Sequence, residues 1–219
     1  MDPPCARRYI RPARQDIRPA RQGVPCGPPD IAAPAFAEIA VDKTTDCLKL
    51  DIGCGPNKRP GYYGIDRLEY PGVDRVWDVG EDGLGFLEDG CADCIYTSHL
   101  LEHVAFVPML GEIHRVLKVG GTAEIYVPHG SSVAGYADPT HIRPGYAYRT
   151  WDYLESGAYD LPAFQIVWRR LYFKPRGHHE WFTWIINLFP RFFERHIANA
   201  LGGCHEVGVM MEKVAGPHR

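Results

Sequence analysis

Leu48-Lys-Leu-Asp-Ile-Gly-Cys-Gly-Pro-Asn57 narrows what this chain can fold into more than any other segment. A short apolar run ends on an acidic residue and then on two glycines one residue apart. The pattern predicts a β-strand entering a loop in which Gly53 and Gly55 let backbone approach a ligand that any Cβ would hold away. A dinucleotide site asks for G-x-G-x-x-G with a pyrophosphate at the following helix, but position 58 is Lys and the third glycine is absent. Asp51, at the strand's end, would also repel phosphates and attract an ammonium group.

From Cys47 onward, short apolar runs ended by Gly, Asp or Pro predict parallel strands joined by crossovers. Strands are expected at Leu48–Ile52, Tyr62–Ile65, Arg75–Val79, Asp93–Thr97 and Thr122–Val127. Leu110, Ile113, Val116 and Leu117 fall at helical spacing, which predicts a helix over Val107–Val119 stopped by Gly120-Gly121. Beyond Pro128 come a loop to about Pro144, a short helix near Tyr148–Gly157 that Thr150 caps, and strands at Phe164–Phe173 and Glu206–Val214. Only seven residues separate Gly55 from Tyr63, too few for a crossover helix, which usually takes about a dozen residues or more, so the first helix is expected to be missing or reduced to a turn. The expected fold is α/β, a Rossmann-like, mostly parallel sheet with an antiparallel last strand.

Two further regions flank or interrupt that domain. Residues 1–34 are a Pro/Arg-rich extension in which Ile10-Arg-Pro-Ala-Arg-Gln15 recurs as Ile17-Arg-Pro-Ala-Arg-Gln22, and they are too poor in apolar residues to order themselves. The domain proper is expected at 35–219, with an aromatic, partly helical insertion at about 174–203. Its aromatic and basic residues suit a lid, a dimer contact or plain core more than a surface for single-stranded nucleic acid or an anionic membrane. No apolar run reaches the roughly 18 residues of a membrane span, and the start lacks a secretory pattern, so a cytoplasmic protein is expected. Seven scattered cysteines read as reduced thiols, and Cys91-Ala-Asp-Cys94 has no partner pair to make a zinc site.

In this setting the sequence resembles the Rossmann-like, class I S-adenosylmethionine-dependent methyltransferases, in a compact type-11-like form. Asp51, Gly53 and Gly55 match their first motif. Asp66 closes the second strand, Asp78 the third, Asp93 opens the fourth, and Ser98-His-Leu-Leu-Glu-His103 follows it. Arg115-Val-Leu-Lys-Val-Gly-Gly121 precedes the fifth strand and Val127-Pro128 follows it, so the likeness is close over Leu48–Pro128. It implies S-adenosyl-L-methionine as cofactor, held by Asp51, Gly53, Gly55, Asn57, Asp66, Asp78, Ser98 and His99. Asp66 is then expected on the ribose hydroxyls and Asp78 beside the adenine.

The acceptor expected is a hydroxyl on a small molecule or glycan, and a histidine is the natural base for it at neutral pH. His141, in Asp138-Pro-Thr-His-Ile-Arg143 after strand five, is the first candidate, with Asp138 orienting its ring; His103 is the second. That loop suits either acceptor recognition or a structural hydrogen-bond lock. Glu102-His103 also admits a metal reading, but no metal is expected, since one of the pair facing the core is the simpler assignment. Two other functions remain open at this level: a non-catalytic nucleoside-binding module working through its basic tail or aromatic insertion, and a nucleic-acid methyltransferase. The sequence says nothing of the oligomeric state.

Overall fold

The computed structural model describes residues 47–155, 159, 161–177 and 180–215. The Pro/Arg-rich extension at 1–34 lies outside the described residues. Seven strands form one sheet: β1 (Lys49–Ile52), β2 (Tyr63–Asp66), β3 (Arg75–Val76), β4 (Ala92–Ser98), β5 (Leu117–Pro128), β6 (Phe164–Tyr172) and β7 (Glu206–Lys213). Their spatial order is β3-β2-β1-β4-β5-β7-β6. β1 to β5 pair in parallel, whereas β7 runs antiparallel to both β5 and β6. The mostly parallel sheet with an antiparallel last strand is thus as the sequence predicts.

The first crossover is indeed reduced to a turn, the three-residue 3-10 helix Gly55–Asn57. Six helices follow among the described residues: α1 (Val79–Asp82), α2 (Phe106–Val116), α3 (Val133–Ala137), α4 (Asp152–Glu155), α5 (Glu180–Ile186) and α6 (Pro190–His196). Met109, Leu110, Ile113 and Val116 are the buried side of α2. They face the sheet side on which Ile95 and Ile125 are also fully buried, because a strand sends alternate residues to opposite faces. The other face carries Tyr96, Ser98, Glu124 and Tyr126, polar and aromatic rather than aliphatic.

Several boundaries differ from the expectation. β3 stops at Val76 instead of Val79, since Asp78 leaves the sheet to cap α1, its Oδ1 accepting the Gly80 amide at 2.9 Å. α2 ends at Val116 rather than Val119, because Leu117 joins the sheet opposite Ala92, and Gly120, at φ +81°, turns within the strand's entry. The helix near Tyr148 begins as a 3-10 turn at Tyr148–Trp151 and becomes α4; Thr150 Oγ1 does accept the Ala147 amide, at 3.1 Å. The described part of the aromatic insertion is α5, α6 and the 3-10 turn Ala198–Leu201. The described cysteines, Cys91 and Cys94 among them, are free thiols.

Candidate active site

In an open α/β sheet the ligand crevice lies at the carboxyl ends of the strands, where successive crossovers leave in opposite directions. Here that point is between β1 and β4. Gly53, at φ +70°, turns the chain off β1, and its amide donates to the Ile65 carbonyl of β2 at 2.8 Å. A Cβ there would stand 3.2 Å from Leu100, so glycine serves both the conformation and the fit. A cleft of about 190 Å³ opens beside this turn, and Asp66, Trp77, Asp78, His99 and His103 border it. Ile65, Val79, Leu100 and Val104 supply its apolar walls.

The two acids at the cleft are held by backbone amides. Asp66 accepts the Gly55 amide on Oδ2 at 2.8 Å and the Leu68 amide on Oδ1 at 2.9 Å, which ties the glycine loop to the end of β2. Asp78 is fixed by its capping bond. Five of the expected residues, Gly53, Asp66, Asp78, His99 and His103, therefore meet at one cleft.

Others stand apart from it. Asp51 is buried, its carboxylate accepting the Arg59 amide at 2.7 Å, and burial raises its pKa above the ordinary value. Asn57 is exposed on the turn, and Gly55 reaches the cleft only through Asp66. Ser98 sits on the other face of the sheet, its hydroxyl accepting from Arg176 at 2.8 Å.

His99 is the most constrained residue of the site. It adopts φ +55°, uncommon for any residue but glycine, and donates its amide to the Tyr126 carbonyl at 2.9 Å. Its Nδ1 lies 3.2 Å from Glu102 Oε1 and its Nε2 3.1 Å from Glu206 Oε2. Bonds to the Glu102 and Glu206 carboxylates outweigh the ring's own burial and push its pKa up to about 9.

On the acceptor side, the loop after α3 folds onto the turn after β4, with Ile142 and Arg143 donating their amides to the Glu102 carbonyl at 2.9 and 3.2 Å. The His103 and His141 rings meet edge to face at 4.6 Å between centroids. His141 Nδ1 is 2.8 Å from the Gly135 carbonyl, and its Nε2 is 3.8 Å from Asp138 Oδ2, too far for a hydrogen bond. Asp138 instead accepts both the hydroxyl and the amide of Thr140, at 2.6 and 2.8 Å, and Thr140 Oγ1 meets His103 Nδ1 at 3.0 Å.

Two arginines that the sequence reading passes over lie on the polar face of the sheet. Arg59 reaches Glu124 at 2.6 Å and lies 4.2 Å above the Tyr96 ring. Arg176 pairs with the buried Glu206 at 2.9 Å and lies 3.7 Å above Tyr126. A strand's period of two places Tyr96, Glu124 and Tyr126 on one face, so those three were legible; Arg176 and Glu206 are joined only by tertiary packing.

Residues 77–125 match the family model described as a methyltransferase domain. That stretch runs from the end of β3 into β5, and the sheet around it has the Rossmann-like class I fold. Among solved structures, a SAM-dependent methyltransferase from Archaeoglobus fulgidus is 20% identical, with a TM-score of 0.53, over 76% of this chain and 86% of that one. A geranyl diphosphate C-methyltransferase from Streptomyces coelicolor A3(2) is 16% identical, with a TM-score of 0.51, over 77% of this chain and 70% of that one. At these identities the likeness is one of fold. No curated protein matches the sequence. Among the described residues, no helix is long and apolar enough to cross a membrane.

Proposed function

We propose that the protein is an S-adenosylmethionine-dependent methyltransferase whose acceptor is a hydroxyl on a small molecule or glycan. The observation that carries this reading is the convergence of Asp66, at the end of β2, and Asp78, at the cap of α1 just past the adjacent β3, on one cleft beside the Gly53 turn. The cleft suits the cofactor's nucleoside: Asp66 keeps carboxylate lone pairs for the two ribose hydroxyls, Asp78 can accept from the adenine amine, and the apolar side chains can flank the base. His99 is proposed to border the cofactor directly. Asp51, Gly55, Asn57 and Ser98 are proposed as the more remote members of the same site, Asp51 and Ser98 acting through the arginines that they hold.

When bound, the cofactor supplies a methyl group already made electrophilic by its sulfonium. The residues present then have to orient an acceptor, exclude water and take a proton. Positioning of this kind supplies roughly 7–11 kcal/mol of a barrier. His103 and His141 are the acceptor-side pair: His103 borders the cleft, and His141 packs edge to face on the His103 ring, fixed by the Gly135 carbonyl. Asp138 positions His103 through Thr140 and makes no hydrogen bond to His141.

Calorimetric titration with S-adenosylmethionine tests the cofactor, and transfer of a labelled methyl to panels of hydroxyl, amine and carboxyl acceptors tests the acceptor class. Transfer to amines alone would overturn the hydroxyl assignment. Absence of cofactor binding would remove the whole reading.

A further inference from the structure

Glu102, His103 and His141 come from two stretches of chain, yet one ligand atom from each lies within 4.8 Å of the others. The hydrogen bonds around the two rings decide which nitrogens are available. The Gly135 carbonyl can only accept, so His141 Nδ1 carries the proton and Nε2 the lone pair. Thr140 gives its hydroxyl proton to Asp138, so its oxygen accepts from His103 Nδ1, and Nε2 is again left with the lone pair. Two neighbouring imidazoles, each with its far N–H donated to a fixed acceptor, are arranged as metal-bound histidines are.

Glu102 supplies an independent observation. Its side chain is fully buried; Oε1 meets His99, while Oε2 has no hydrogen-bond partner among the described residues. Leaving a buried carboxylate oxygen without a partner is costly, and a cation beside it removes that cost. A structural lock between the two loops explains the Nδ1 bonds but assigns nothing to Glu102 Oε2 or to either Nε2.

We propose that Glu102 Oε2 and the Nε2 atoms of His103 and His141 bind a divalent first-row transition-metal ion of the Zn²⁺ type. Imidazole and carboxylate suit such ions. Donors 2.0–2.1 Å from a tetrahedral ion stand roughly 3.4 Å apart, and the three residues already bring ligand atoms within 4.8 Å of one another, so side-chain adjustment completes the shell. Three protein ligands leave a coordination position open, and His103 borders the cleft, so that position belongs to an acceptor oxygen whose proton the ion acidifies. This role for the ion rests on the methyltransferase reading; occupancy of the site does not.

The test uses the full chain without a polyhistidine tag, stripped by a chelator and titrated with Co²⁺ as an optical probe. One equivalent should bind with visible bands clearly stronger than those of aqueous Co²⁺, without thiolate charge transfer in the near ultraviolet, and should be displaced by Zn²⁺. Glu102→Gln, His103→Ala and His141→Ala, each shown folded by circular dichroism, should weaken Co²⁺ binding at least tenfold. Should a ligand variant fail to fold, Thr140→Val, which removes only the hydroxyl orienting His103, should weaken it by about 10–100-fold. Absence of Co²⁺ binding, binding unchanged in these variants, or a thiolate spectrum overturns the proposal. Protein that binds Co²⁺ but not S-adenosylmethionine would keep this site and remove the methyltransferase reading.

Discussion

Replacing Asp66 by alanine removes the carboxylate best placed to hold the cofactor's ribose. Hydrogen bonds to a charged group contribute about 1.5–3 kcal/mol each, and the ribose offers two hydroxyls; at the low end the loss is about 3 kcal/mol, or roughly 10²-fold in affinity. The same carboxylate also accepts the Gly55 and Leu68 amides, so the glycine loop loosens as well. Asp66→Asn separates the two effects, because it retains an oxygen for one amide and loses the charge; an intermediate loss of about tenfold is expected. Isothermal titration with S-adenosylmethionine and S-adenosylhomocysteine reads both variants, with thermal unfolding as the check that each is folded. Affinity of Asp66→Ala within twofold of the unmodified protein would refute the placement of the ribose at β2.

Three other substitutions test separate parts of the structure. His141→Ala should lower turnover by about 10²–10⁴-fold, with cofactor affinity nearly unchanged; steady-state rates together with calorimetry distinguish this from a loss of folding. Gly53→Ala forces a side chain onto φ +70° and against Leu100, a cost of about 1–2 kcal/mol that calorimetric melting should show as a fall of a few degrees, with cofactor binding weakened too. His114, on α2, has its pKa lowered by burial and then by Lys213, so the folded state resists its protonation. The stability this contributes is complete above about pH 6.5 and is lost as the pH falls through the folded value, so urea midpoints should drop on acidification less steeply in His114→Gln. An equal drop in both proteins would remove His114 from the acid response.

Local features explain what was legible in the sequence. Strand periodicity and the glycine turn placed Asp51, Gly53, Gly55 and Asp66 at strand ends, whereas Asp78 proved to lie past β3 as the cap of α1; counting residues between Gly55 and Tyr63 was enough to exclude the first crossover helix, because chain length alone limits what can cross between parallel strands. α2 was legible from its apolar spacing but its end was not, since Leu117 is drawn into pairing with Ala92, a partner 25 residues earlier. Side-chain direction was likewise beyond reach: Asp51 gives its carboxylate to Arg59, and Ser98 faces Arg176 across the polar side of the sheet. The sequence by itself determined the sheet, its turns and the acids at its edge, because those depend on neighbouring residues. Tertiary structure decided which side chains share a site: Glu206 reaches His99 across 107 residues, and His141 meets His103 only because the loop after α3 packs on the turn after β4. Contacts of that range leave no periodic trace in the chain; they arise when buried polar groups must find partners in the folded interior.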